Sequence, residues 1–79
     1  MNDEYLKTHY IIYDGRAMGG DTDDASIFEC CDTLREARRR APHYGGCVIM
    51  KVTWNEEKSC HEETLISWFD ADGKETKMV

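Results

Sequence analysis

Residues 33–42 read TLREARRRAP, and this stretch decides the fold because it marks the start and the end of one short helix. Thr33 followed three positions later by Glu36 fits the capping box, in which each side chain bonds the backbone N–H of the other. Asp32 is an alternative N-cap one residue earlier. Pro42 is expected to end the regular helix, because the residue before a proline avoids the α region. The pattern predicts a helix of about three turns.

This helix has one narrow apolar stripe. Leu34, Ala37 and Ala41 recur at helical spacing, and the face that points away from them carries three arginines: Arg35, Arg38 and Arg39. An isolated helix of this length is marginal in water, so we expect it to rest on a sheet. Arginine suits bidentate contact with carboxylates or phosphates, although a solvated helix face balanced by acids elsewhere is the simpler interpretation.

Strand-like segments lie on both sides of the helix. Aromatic and β-branched residues are typical of strands, and an Asp-Gly turn precedes a weaker edge segment; the five ranges are 5–13, 26–31, 47–54, 64–69 and 74–79. The order is β-β-α-β-β with a fifth short strand. It predicts a single α+β domain over residues 1–79, with an antiparallel or mixed four- to five-stranded sheet and one helix packed on one face.

Alternation within the later segments predicts the faces of the sheet. One face of the third segment is mainly apolar and the other is polar; the first carries Val48, Met50, Val52 and Trp54, the second Lys51 and Thr53. This pattern predicts one buried and one solvated face. In the fourth segment, Ile66 and Trp68 are expected to oppose Leu65 and Phe69.

Two connections, 14–25 and 55–62, are long for so small a domain, and both are rich in acidic or amide side chains. The first contains Asp14, Asp21, Asp23 and Asp24, which could bind a hard cation. It lacks the glycine and the distant glutamate of an EF-hand loop. A solvated loop, or one that meets a basic protein surface, is the interpretation we prefer.

Charge is distributed in three blocks. Residues 1–32 hold eight acids and two bases, residues 33–51 hold five bases and one acid, and residues 52–79 hold seven acids and three bases, for a net charge of −6. Polarised surfaces of this kind steer encounters with charged partners. We do not expect direct nucleic-acid binding, because that needs a broad positive surface.

No segment predicts membrane insertion or export. Apolar runs such as 47–50 are far too short to span a bilayer, and the chain opens with MNDE instead of a basic and then apolar signal. We therefore expect a cytoplasmic protein, in which Cys30, Cys31, Cys47 and Cys60 are thiols.

The thiols and imidazoles do not indicate a reaction or a bound metal. Structural zinc sites bring ligands in closely spaced pairs, and the cysteines here lack that spacing. Cys60 and His61 are adjacent, and side chains of sequence neighbours tend to diverge, which disfavours a nucleophilic dyad. Cys47 and one of Cys30 and Cys31 are expected to be small buried hydrophobes. We expect no enzymatic activity and no cofactor.

The aromatic residues are the remaining candidates for a functional surface. In a strand, Tyr5 and Tyr13 share one face and Tyr10 lies on the other. Exposed aromatics and arginines carry much of the binding energy at interfaces, so the exposed set would anchor a partner.

Several stretches together resemble small bacteriophage proteins, some of which are anti-CRISPR inhibitors. They are YIIYDGRA at 10–17, DTDDA at 21–25, TLREAR at 33–38 and the Gly45-Gly46 pair. The resemblance is one of style and element order over residues 10–50. It implies a short acidic chain with one helix on an antiparallel sheet, which acts without catalysis by binding a host defence or regulatory protein.

The leading hypothesis is thus a non-catalytic, phage-encoded inhibitor that occupies a basic or functional surface of a host protein complex. Its partner-binding residues are expected to be acids, arginines and tyrosines: Asp21, Asp23, Asp24, Glu56, Glu57, Arg35, Arg38, Arg39, Tyr5 and Tyr13, with Glu62 and Glu63 adding charge. The alternatives are a homodimer joined through an edge strand such as 5–13 and a small metal-binding module.

Overall fold

The computed structural model describes residues 7–15 and 27–78. Its elements are β1 (His9–Asp14), β2 (Ile27–Cys31), α1 (Leu34–Arg40), a 3₁₀ turn (Ala41–His43), β3 (Cys47–Asn55), β4 (Cys60–Phe69) and β5 (Glu75–Lys77). The strands form one antiparallel sheet in the order β2-β1-β3-β4-β5. The predicted α+β class, element order and fifth strand are confirmed.

The chain crosses from β2 to β3 through α1. Both strands pair antiparallel with β1, so they run in the same direction with β1 between them. A connection between parallel strands needs a crossover, and α1 supplies it on one face of the sheet. The expectation that the segment 5–13 forms an edge strand is therefore wrong for its described part, because β1 lies inside the sheet. Among the described residues, the edges are β2 and β5.

The start and the end of α1 follow the sequence signals. The hydroxyl of Thr33 accepts a hydrogen bond from the backbone N–H of Glu36 at 3.1 Å, which confirms the N-cap. The carboxylate of Glu36 accepts a hydrogen bond from Arg40 at 3.1 Å. Regular helix ends at Arg40, after seven residues, and Pro42 lies in the 3₁₀ turn. The helix is thus shorter than predicted, because part of its last turn is 3₁₀.

Small side chains bring α1 close to the sheet. Ala37 and Ala41 are fully buried against a cluster that includes Ile12, Ile49 and Phe69, with Leu34 packed at its side. The thiol of Cys47, also buried, donates to the carbonyl of Ala41 at 3.3 Å. The predicted apolar stripe of the helix is confirmed. We call the side of the sheet that α1 covers the helix face, and the opposite side the open face.

The register confirms the predicted grouping of side chains in β3 but places that group on the side of the sheet opposite α1. Cys47 and Ile49 belong to the core beneath α1, so their neighbours in β3 point to the open face: Val48, Met50, Val52 and Trp54. Val48 and Val52 are also buried. The prediction of one buried and one solvated face is too simple, since both faces of β3 carry buried apolar side chains.

A β-bulge in β4 explains a second difference. Ile49 pairs with Ser67 and Met50 pairs with Leu65, which leaves Ile66 as an extra residue. Ile66 therefore joins Phe69 in the core of the helix face instead of opposing it. The prediction that Ile66 and Phe69 lie on opposite faces is thus wrong, because the extra residue of a bulge interrupts the alternation along the strand.

The predicted loop 55–62 is also wrong, because β4 begins at Cys60 and only four residues form the turn. The side chain of Asn55 accepts a hydrogen bond from the backbone N–H of Lys58 at 3.1 Å and donates to Glu62 at 2.6 Å. Ser59 takes a positive φ of 50° at the end of the turn. The first five residues of β4 have exposed side chains, and four of them are polar or charged, so this part of the strand lacks the apolar alternation by which strands are recognised in a sequence.

One carboxylate ties α1 to β4 and β5. Ser67, fully buried, donates to Glu75 at 2.6 Å, and the guanidinium of Arg38 donates to the same oxygen at 2.9 Å. Partial burial raises the pKa of Glu75, but the hydrogen bonds from Ser67 and Arg38 and the positive charges of Arg38 and Lys77 hold it below its ordinary value. Arg38 is thus engaged within the fold.

Replacing Ile49 and its neighbour Met50 separately by alanine tests the assignment of the two faces. Ile49→Ala should lower the free energy of unfolding by roughly 2–5 kcal/mol, because it opens a cavity beneath α1. Met50→Ala should cost less, because Met50 is only half-buried on the open face. Urea denaturation measures both, and a larger loss for Met50→Ala would contradict the assignment.

Acid titration of stability tests the tie at Glu75. A carboxyl whose pKa is lowered on folding stabilises the fold above its unfolded pKa, and this stabilisation is lost as the pH falls through the folded pKa. The stability advantage of the native chain over Glu75→Gln should therefore be largest near neutral pH and decline in acid. Arg38→Gln, which removes one donor, should flatten that decline. An advantage that does not change with pH would contradict the account.

Candidate protein-binding surface

A row of side chains crosses the open face from one edge of the sheet to the other. The register aligns one residue from each strand: Ile27, Tyr13, Val48, Trp68 and Thr76. Trp68 and Ile27 are 45% and 39% exposed, unusually high values for large apolar residues on a sheet. Half-buried Tyr13 and buried Val48 lie between them, so the row is apolar from Ile27 to Trp68 although its exposure is greatest at those two residues. Continuous apolar surfaces mark binding sites more often than scattered apolar groups do.

Two further rows extend this surface toward the hairpin of β3 and β4. The second row consists of Cys30, Ile11, Met50 and Leu65, and the third of His9, Val52 and Glu63. Apolar character thus continues along the middle of the open face and gives way to a carboxylate at Glu63. No described helix or strand packs on this side of the sheet.

Tyr13 is held across the open face. Its hydroxyl donates to Glu63 at 2.9 Å, although Tyr13 lies on β1 and Glu63 on β4, with β3 between them. The tyrosine side chain must therefore pass over β3. Burial raises the pKa of Tyr13 most, and the hydrogen bond and negative charge of Glu63 raise it further, to about 12. The predicted anchor Tyr13 is on this surface, and Tyr10 lies on the helix face as expected.

The hairpin extends beyond the other described strands as an acidic arm, which we define as residues 53–62. Val52 is the last residue of β3 that pairs with β1. Glu56, Glu57 and Glu62 are exposed on the arm, and its single base, Lys58, lies 3.8 Å from Glu62. The rings of Trp54 and His61 meet edge to face within the arm, with their centroids 5.0 Å apart.

The predicted arginines lie on the other side of the sheet. Arg38 is paired with Glu75, whereas Arg35 and Arg39 are exposed and line a shallow depression with Thr33 and Glu36. The structure therefore does not bring these arginines together with the acids of the arm. The other predicted partner-binding residues, Asp21, Asp23, Asp24 and Tyr5, lie outside the described residues.

The predicted partner-binding residues did not include Trp68 or Ile27. Alternation placed Trp68 opposite Phe69 without showing which of the two is exposed, and no face was predicted for Ile27; the register places Trp68 and Ile27 on the open face. Only pairing across the sheet places them in one row. A tryptophan opposite Phe69 within an alternating strand was the signal that could have singled out Trp68.

A second group missed from the sequence lies where β2 meets the end of α1. The rings of Phe28 and Tyr44 stack with centroids 4.8 Å apart, and the Tyr44 hydroxyl donates to Glu29 at 2.6 Å. Arg40 pairs with Glu29 at 3.0 Å and with Glu36 at 3.1 Å. This network neutralises the one charged side chain of β2.

The thiols divide into two classes. Cys31 and Cys47 are buried, and burial together with nearby carboxylates raises the pKa of each thiol to about 11, which keeps both protonated at neutral pH. Cys30 and Cys60 are exposed. Adjacent residues of a strand point to opposite faces, so Cys60 and His61 diverge. No group of three or more potential metal ligands occurs within residues 7–15 and 27–78.

No protein-family model, no curated protein and no solved structure matches this chain. Over the described part of the chain, no helix has the length and apolarity that a membrane crossing requires. Function must therefore be inferred from the surface itself. Its most prominent feature is the apolar open face with the acidic arm at one end.

Titration of the Tyr13 ring tests the tie across the open face. In the native chain its phenol should titrate near pH 12, and Glu63→Gln should bring the midpoint toward the ordinary value of about 10. Glu62→Gln, which changes the neighbouring carboxylate, should leave it in place. NMR of the ring carbons measures all three, with circular dichroism as a check on folding. A native midpoint near 10 would show that Tyr13 is not held by Glu63.

Proposed function

We propose that this chain is a non-catalytic inhibitor that binds a host protein complex through its open face. The single observation that carries the proposal is the exposure of Trp68 within an apolar row that spans the sheet. Tryptophan is enriched at the centres of protein interfaces, where its large surface is removed from water. The neighbouring Tyr13 is already immobilised by Glu63, so it loses little conformational freedom on binding.

The acidic arm defines the chemistry of the partner. Glu56, Glu57 and Glu63 are exposed near one end of the apolar surface, and together with Glu62 they outnumber the single base Lys58. A partner with a basic rim around an apolar centre complements this pattern. Peripheral charges of this kind accelerate association and make it sensitive to salt more than they change final affinity.

The resemblance to small phage proteins suggests which kind of host complex is the partner. We infer a phage-encoded protein that acts in the cytoplasm of the host cell and blocks a CRISPR-Cas-like defence complex or a regulatory complex. Its acids would occupy a surface that otherwise receives phosphate groups. Asp21, Asp23 and Asp24 are expected to add to the same negative field.

A pair of aromatic variants tests the binding surface. The partner is first captured from host lysate on the native chain and purified. Trp68→Ala should then weaken binding to this partner by about 2 kcal/mol, or roughly 30-fold in Kd. Tyr44→Ala is the matched control, because Tyr44 is exposed to a similar extent (38% against 45%) on the helix face. Calorimetry with purified components measures both. Equal loss in the two variants, or no loss in Trp68→Ala, would contradict the proposed surface.

Charge reversal tests the arm with the same partner. Glu57→Lys and Asp72→Lys make the same change in charge at opposite ends of β4, and both residues are exposed. Only Glu57→Lys is expected to slow association and reduce its dependence on salt.

For the inhibitory role, expression of the native chain in a strain with active CRISPR-Cas interference should restore plaque formation by a targeted phage. Trp68→Ala should not, and failure of the native chain against every such system would exclude that form of the proposal.

A further inference from the structure

The two edges of the sheet differ in how they are protected against pairing. At one edge, β5 has only three residues, of which Glu75 and Lys77 are charged. At the other edge, β2 has five residues, and its exposed Ile27 and Phe28 are apolar. Proteins usually protect an edge strand with charge, proline or shortness, because its outward N–H and C=O groups can accept another strand. The strand β2 has no proline, its one charge is paired with Arg40, and its one irregularity is a bulge at Phe28.

Charge at β2 permits a second negative chain to approach. Glu29 is the only charged residue of the strand, and Arg40 neutralises it at a distance of 3.0 Å. The helix that follows also carries exposed Arg35 and Arg39. Pairing with Arg40 therefore lowers the repulsion that Glu29 would cause between two chains of net charge −6, and exposed Asp32 is the next acid after the strand.

We propose that β2 pairs with β2 of a second copy of this chain. Antiparallel pairing about a two-fold axis is closed and uses the same edge on both subunits, so it ends at a dimer. It would join the two sheets into one, with the short charged β5 at both outer edges. Ile27 and Phe28 would be covered where the subunits meet, which adds apolar burial to a small core.

The symmetry also separates the acidic arms and aligns the binding surfaces. Since β2 and β3 run in the same direction, the two arms would lie at opposite ends of the joined sheet. A two-fold axis perpendicular to the sheet keeps both open faces on one side. The two Trp68 side chains would then be roughly 30 Å apart, since seven strand spacings separate the β4 strands. The dimer does not depend on the proposed function, but it would make that function bivalent.

Sedimentation velocity of the full chain in reducing buffer, from low to several hundred micromolar, tests the dimer. The native chain should pass from one to two chain masses. Ile27→Lys should raise the dimer Kd about tenfold or more, because it places a charge on the apolar edge. Thr76→Lys adds the same positive charge on β5, at the other edge, and should leave the dimer Kd unchanged. A chain that stays monomeric throughout, or a dimer that survives Ile27→Lys, would overturn the proposal.

Hydrogen exchange provides a second readout that does not depend on a variant. The N–H groups of β2 that point away from β1 should exchange quickly in dilute solution and slowly at concentrations where the dimer forms. The outward N–H groups of β5 should stay fast at both. If these β2 groups gain protection only when a partner protein is added and the chain remains monomeric, the edge accepts a strand of that partner and the homodimer is wrong.

Discussion

The packing of Ala37 and Ala41 on Ile12 and Ile49 is the contact on which the rest of the structure depends. The two alanines have small side chains, so a helix of only seven residues can lie close to the isoleucines of the sheet and exclude water. The same contact carries the chain over β1, from β2 to the parallel β3. With α1 on that face, no described helix packs on the opposite face of the sheet.

That division between two faces organises the chemistry of the molecule. On the helix side, Arg38 pairs with Glu75 and Arg40 pairs with Glu29 and Glu36, while Arg35 and Arg39 are exposed. The open side combines an apolar row with the unbalanced acids of the arm. A surface with an exposed tryptophan and acids at one end is suited to recognition, because the apolar centre supplies affinity while the charges select the partner.

Local signals in the sequence were sufficient for the helix and for most strands. Thr33 and Pro42 marked the limits of α1, and the predicted ranges overlap all five strands. The order of strands was not accessible, because nothing local distinguishes the central β1 from an edge. The face of Ile66 was misassigned for a specific reason: a bulge at this residue changes the parity that alternation assumes. The candidate surface depends on that parity and on pairing across five strands, so only Tyr13 and the acids of the arm could be predicted.

NMR spectroscopy of the two tryptophan indoles, Trp54 and Trp68, tests the central claim most directly, because one lies on the arm and the other in the apolar row. When the host complex is added, the indole N–H signal of Trp68 should shift or broaden strongly, while the guanidinium signals of Arg35 and Arg39 on α1 stay in place. A complex that perturbs those arginines and leaves the Trp68 indole unchanged would contradict recognition through the open face.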